Sequence, residues 1–139
     1  MDEGLADLLH RVVMLLGEAT RQRTDDRDGL TYSQIRLLGT LEDIEPATQH
    51  QLAQALSVSD PAVSRALRPL EADGLVQITI DPAHARRRLV TLTDAGRKAF
   101  QVAGKPLYDE FRTKLLEAGF PYDRYLDDTL RLAELLKPT

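Results

Sequence analysis

Apolar residues recur at helical spacing through Leu5, Leu8, Leu9, Val12, Val13 and Leu16, and Met14 and Leu15 widen the stripe beyond one face. The pattern predicts a first helix covered on more than one side. The polar stretch of residues 20–29, with Arg21, Arg23, Arg27 and three aspartates, is expected to end it as a helix tail and loop. Thr31 with Gln34, and Thr48 with Gln51, each have capping-box spacing, in which the threonine and the residue three positions on satisfy each other's backbone amides. Ile35, Leu38 and Leu41 then supply the buried side of one helix, and Leu52, Ala53 and Leu56 that of a shorter one, with Pro46 between them.

Asp60-Pro61 is a further start signal. The carboxylate can accept from free backbone amides, and proline lacks only an N–H that the first turn leaves unpaired. A third short helix is predicted from Pro61, with Val63, Leu67 and Leu70 inward, Ala62, Ser64, Arg65 and Arg68 outward, and Gly74 at a left-handed terminus. Beyond it the period becomes two. Val76, Ile78 and Ile80 alternate with polar residues, as do Val90 and Leu92, predicting a two-stranded ribbon around a loop at residues 81–88. Thr93 is placed to cap one long helix with Phe100, Ala103, Leu107, Phe111 and Leu115 inside and a bend at Pro106; Gly119 and Pro121 close it. A last helix, Tyr122–Leu136, puts Tyr122, Leu126, Leu130, Ala133 and Leu136 on one face.

The expected fold is mainly α with a small β-ribbon: a winged helix-turn-helix flanked by helices at both ends. The 139 residues suit a single domain, with residues 31–100 forming the winged helix-turn-helix lobe and residues 1–24 and 101–139 the dimerisation helices. The terminal helices carry more apolar surface than one compact unit covers, and pairing with a second copy about a two-fold axis would bury it.

Composition narrows the chemistry. Cysteine is absent, which excludes disulfides, thiolate metal sites and thiol redox sensing. The longest purely apolar run, residues 12–16, is far below the ~20 residues of a membrane span; with no leader pattern after Met1, a cytoplasmic protein is expected. His10, His50 and His84 lack the spacing that puts two imidazoles on one helical turn, so no metal site is assigned. No phosphate-binding glycine loop, nucleophile elbow or catalytic carboxylate pair is present, and neither an enzyme nor a cofactor is expected. The net charge of −4 is unevenly spread. Between Ser59 and Leu92, Arg65, Arg68, Arg86, Arg87 and Arg88 outnumber the acids Asp60, Glu71, Asp73 and Asp81 by one.

Two short helices joined at Ser57-Val58-Ser59 and followed by a charged ribbon form the helix-turn-helix pattern with a wing. In order along the chain, Leu52-Ala53, then Ser64-Arg65 with Leu67, Leu70 and Glu71, then Gly74-Leu75-Val76, and finally Leu92-Thr93 with Gly96 resemble the MarR family of bacterial regulators. The resemblance covers essentially the whole chain. It implies a triangular homodimer on double-stranded DNA, recognition helices in successive major grooves, wings in the flanking minor grooves, and repression relieved by a small aromatic ligand. The residues so assigned to DNA are Ser59, Ala62, Ser64, Arg65 and Arg68 on the recognition helix and His84, Arg86, Arg87 and Arg88 on the wing. A ligand pocket would draw on Leu9, Val13, Tyr32 and Phe100, residues that core packing also accounts for.

Three positions depart from the family pattern. His84 stands where the wing usually has an aspartate that orients the arginine two residues on, here Arg86, and Asp81 is the candidate substitute. Ile78 replaces a common arginine, and Pro69 falls inside the recognition helix, where a kink between Arg68 and Leu70 is expected. An ordinary imidazole titrates near 6.5, so His84 beside phosphates should add charge to the wing as pH falls. A winged-helix module that binds a protein is the competing reading, favoured by the acidic net charge and opposed by the three consecutive arginines.

Overall fold

The computed structural model describes residues 4–25 and 29–137; Arg27, Asp26 and Asp28 of the expected loop lie outside the described residues. The chain divides into two compact units, Met1–Gly104 and Lys105–Thr139. The first contains α1 (Leu5–Asp25), α2 (Tyr32–Ile44), β1 (Ala47–Thr48), α3 (Gln49–Leu56), α4 (Asp60–Ala72), β2 (Val76–Ile80), β3 (Arg88–Leu92) and α5 (Asp94–Ala103). The second contains α6 (Lys105–Glu117) and α7 (Tyr122–Leu136). No helix among the described residues is long and apolar enough to cross a membrane.

Local chemistry sets the helix boundaries of the first unit. Both capping boxes are formed: Thr31 Oγ1 accepts from the Gln34 amide at 3.2 Å while Gln34 Oε1 accepts from the Thr31 amide at 3.0 Å, and Thr48 and Gln51 repeat the arrangement. α4 begins one residue earlier than expected. Ser59 is its cap, its hydroxyl accepting from the Ala62 amide at 3.2 Å, and Asp60 is already helical. The helix continues through Pro69 to Ala72, and the ring deprives only the Arg65 carbonyl of its intrahelical donor. It closes at Gly74 (φ +74°), where Leu75 N–H returns to the Leu70 carbonyl at 2.9 Å. α3 ends at Ser57, which adopts φ +56° so that Val58 N–H reaches the Ala53 carbonyl at 3.0 Å.

α1 runs to Asp25, with the stretch from Thr20 as its tail, as expected, and the Thr20 hydroxyl donates to the Leu16 and Gly17 carbonyls. Sequence periodicity missed two features. The ribbon is a three-stranded antiparallel sheet in the order β1-β3-β2, with Ala47 opposite Val90 and Thr48 opposite Leu89. β1 is too short to leave an alternating pattern. The single helix expected from Thr93 is broken at Gly104 rather than bent at Pro106. A Cβ on Gly104 would meet Phe100 Cε2 at 2.8 Å and Ile35 Cγ2 at 3.1 Å, and Pro106 offers no N–H to the preceding turn.

Leu38, Leu41, Leu52, Leu67, Leu70 and Val90 are fully buried in a core drawn from α2, α3, α4 and the sheet. Gln77 and Thr91 pair opposite each other, as do Ile78 and Val90, so one sheet face lies on that core. Ile80, expected inward, is 65% exposed because its partner is Arg88 at the start of β3, beyond the core's edge. Glu45, at the end of α2, accepts from the Leu92 amide at 3.2 Å and takes both Arg97 guanidinium nitrogens at 2.8 and 3.1 Å, joining α2, β3 and α5. That hydrogen bond and the Glu45 charge raise the Arg97 guanidinium further above its already basic ordinary value.

The apolar stripe of α1 is largely exposed, with Val12, Val13, Met14 and Leu15 more than half accessible among the described residues. In the second unit α6 ends at Gly119 (φ +74°), as its sequence predicts, and the Phe120 and Tyr125 rings approach to 4.4 Å. Phe111, expected inside, is 40% exposed, and Leu126, Leu130 and Leu136 of α7 are exposed.

Gly96 is where the fold tolerates least. An added methyl would overlap the Leu75 carbonyl oxygen, a backbone atom that cannot swing aside. Gly96→Ala is expected to destabilise the protein by about 3 kcal/mol or more, measured as a lowered denaturant midpoint; an unchanged midpoint would show that the α5 start and the β2 start are not locked together.

Candidate nucleic-acid interface

α4 presents its outward face as its sequence predicts. Val63, Leu67 and Leu70 are buried, Arg65 and Arg68 are exposed, and Ala62 and Ser64 are half-buried with small side chains that leave the backbone approachable. Ser59 is exposed at the helix start, where its hydroxyl is committed to the cap.

In the wing, residues 81–87 form the loop and Arg88 is the first residue of β3. Three backbone bonds fold the loop back on itself: Asp81 N–H to the Arg87 carbonyl at 2.7 Å, His84 N–H to the Asp81 carbonyl at 3.0 Å, and Arg87 N–H to the His84 carbonyl at 2.9 Å. The Asp81 side chain completes the turn by accepting from the Ala83 amide at 2.9 Å. Its second oxygen lies 3.8 Å from Arg87 Nε. Asp81 does reach across the loop, but its arginine is Arg87; Arg86, favoured from sequence, has its side chain exposed beside that pair. His84 is exposed at the tip.

Strand β1 brings a third segment to the wing. Because Thr48 pairs with Leu89, the start of α3 stands against the ribbon, and Thr48, Gln49, Arg86, Arg87 and Arg88 line a cleft of about 280 Å³. The next residue, His50, places Nδ1 3.1 Å from each carboxylate oxygen of Asp60 at the start of α4. The first turn of α3 thus adjoins both the wing arginines and the N-terminus of α4. Sequence reading missed this role. His50 and Asp60 are ten positions apart on different helices, a separation no helical or strand period marks.

Of the residues considered for a ligand pocket, Phe100 is a packing residue, its ring filling the space that Gly39 and Gly104 leave. Tyr32 lies beneath the Arg21 guanidinium, 5.8 Å from its ring centre, and Val13 is exposed. Among the described residues no three His, Asp or Glu side chains are grouped to hold a metal ion.

A helix-turn-helix whose second helix presents arginines, followed by an arginine-tipped antiparallel wing, defines a winged helix-turn-helix protein. The MarR family model matches residues 28–87 of this chain, and the mostly helical fold with its small three-stranded antiparallel sheet is that of a MarR-like winged helix. The chain is 29% identical over 102 residues to the HTH-type transcriptional regulator YdgJ of Bacillus subtilis, a match covering 73% of this chain and 62% of that protein. It is 32% identical over 104 residues to the transcriptional activatory protein BadR of Rhodopseudomonas palustris, covering 73% of this chain and 55% of that one. The matches therefore span less than two thirds of either relative. The crystal structure of the Staphylococcus aureus MepR–DNA complex superposes with a TM-score of 0.71 at 25% identity, covering 97% of this chain and 98% of that one.

The wing turn is testable without any ligand. Asp81→Ala removes the acceptor of the Ala83 amide, a bond worth about 1 kcal/mol, so hydrogen exchange at Ala83 should quicken about fivefold. Unchanged exchange would mean that the backbone bonds alone hold the turn.

Proposed function

We propose that this chain is a DNA-binding transcription regulator that acts as a homodimer, reading a palindromic operator as a repressor whose occupancy a small aromatic ligand controls. The observation that carries the DNA reading is the convergence described above, in which the first turn of α3 adjoins both the N-terminus of α4, the helix that exposes Arg65 and Arg68, and the wing arginines. Arg65 and Arg68 are the candidates for phosphate or guanine contact in the major groove, which alone is wide enough for a helix and distinguishes all base pairs. Ser59, Ala62 and Ser64 permit the close approach. Arg86, Arg87 and Arg88, with His84 at the tip, suit the narrow and negative minor groove. The MepR–DNA complex supports the reading, being a solved structure of this fold on DNA.

The dimer follows from the exposed apolar faces of α1 and α7, which a second copy would cover. Sedimentation at micromolar concentration should give a dimer; a folded monomer would remove the geometric basis for a two-fold operator. The sign of regulation is a separate question, since BadR is an activatory protein by name. Reporter expression with and without the gene decides it.

Fragments selected from genomic DNA should carry two-fold related half-sites about 10 base pairs apart, and binding should weaken steeply with salt. Arg86→Ala is expected to reduce the salt dependence by about one released counterion per protomer. Arg65→Ala should cost about 1–3 kcal/mol on the selected site and relax preference at one position. Equal affinity for every duplex at physiological salt would overturn sequence-specific recognition. Affinity and salt slope unchanged in Arg86→Ala would leave its side chain outside the contact.

A further inference from the structure

Asp60 is out of place on a DNA-reading surface. It is the first residue of α4, exposed, and carries a negative charge where the helix would meet phosphates. His50 is its partner. The carboxylate can only accept, so the imidazole Nδ1, 3.1 Å from both oxygens, is the donor. This fixes the ring and its tautomer, and leaves Nε2 on the opposite edge, for which no protein partner is found among the described residues. The ring is 65% exposed, next to Gln49, which lines the cleft with Arg86, Arg87 and Arg88.

We infer that His50 is a DNA-phosphate contact whose Nε2 takes up a proton as DNA binds, and that Asp60 is its positioning residue. The inference rests on the DNA reading above. With Nδ1–H engaged, a neutral His50 offers phosphate only a lone pair, so contact requires Nε2–H and hence the imidazolium. A phosphate at the open edge would favour the cation. The proton comes from solvent and no bond to carbon changes. The cation also cancels the repulsion between Asp60 and the backbone, giving the acid a use at this position. Asp60 from α4 is the charged group bonded to the ring; Arg86, Arg87 and Arg88 line the neighbouring cleft with Gln49, Glu45 at the end of α2 is occupied by Arg97 and the Leu92 amide, and the α3 neighbours Gln49 and Gln51 are uncharged.

Phosphate contacts do not depend on sequence, so a mixed-sequence DNA duplex at low salt is a sufficient probe. In a His84→Ala background, which removes the wing histidine, affinity should still rise as pH falls from 8 to 6, by up to about tenfold per pH unit for each proton taken up. Calorimetry in buffers of different ionisation enthalpy should register that uptake. His50→Gln should abolish the uptake and flatten the pH profile while leaving the protein folded, as the pair is exposed. Asp60→Asn should reduce the uptake and yet strengthen binding at pH 8, where the unneutralised carboxylate repels most. Imidazole resonances of His50 should move to the cationic position on adding duplex at neutral pH. If the protein binds the duplex and His50→Gln retains the full proton uptake, or if the His50 resonances do not move, the inference is overturned. If no duplex binds at any salt, it is the DNA reading itself that fails.

Discussion

The junction of Gly74, Leu75, Thr93 and Gly96 is the constraint on which the arrangement of the recognition helix and wing depends. Thr93 donates its hydroxyl to the Gly74 carbonyl at 2.6 Å and accepts with the same oxygen from the Gly96 amide at 3.0 Å, while its own amide donates to Leu75 at 3.1 Å. One residue therefore ties together the end of α4, the root of β2, the end of β3 and the start of α5. Only glycine at 96 lets α5 approach the Leu75 carbonyl so closely. The angle at which the wing leaves α4 is fixed at this knot, and Glu45 repeats the device from the other side by binding the Leu92 amide and Arg97 with one carboxylate.

The legible parts of the fold were those whose cause is local. Capping boxes at Thr31 and Thr48, the left-handed turn at Gly74 and the inward rows of α3 and α4 follow from residues within a few positions of one another, where spacing is the physics. What was hidden depends on partners distant in sequence. Glu45 and Arg97 are separated by 52 positions. β1 exists only because β3 offers it hydrogen bonds. The close packing at Gly104 involves Ile35, far earlier in the chain, as well as the Phe100 ring. In the candidate site the sequence identified the arginines but not their assignments: Asp81 turned out to hold Arg87, and the use of His50 depends on where α4 begins.

Charge placement explains how an acidic chain can present a surface suited to a polyanion. Several acids nearest that surface are already engaged: Asp81 with the Ala83 amide and Arg87, Asp60 with His50, and Glu45 with Arg97. Arg65, Arg68 and Arg86 are exposed in the same region. Net charge is thus a poor guide to the local field of this molecule.

The wing loop has a further consequence, for the timing of recognition. Three backbone bonds and the Asp81 carboxylate close residues 81–87 into a turn before any partner arrives. Ordering a flexible arginine loop at the moment of contact would cost roughly 1–2 kcal/mol of backbone entropy per residue. Here that cost is met during folding. The arginine side chains alone remain to be immobilised, so on the proposed function the tip is a preorganised probe, and its encounter with a duplex would be governed by diffusion and charge steering rather than by loop rearrangement.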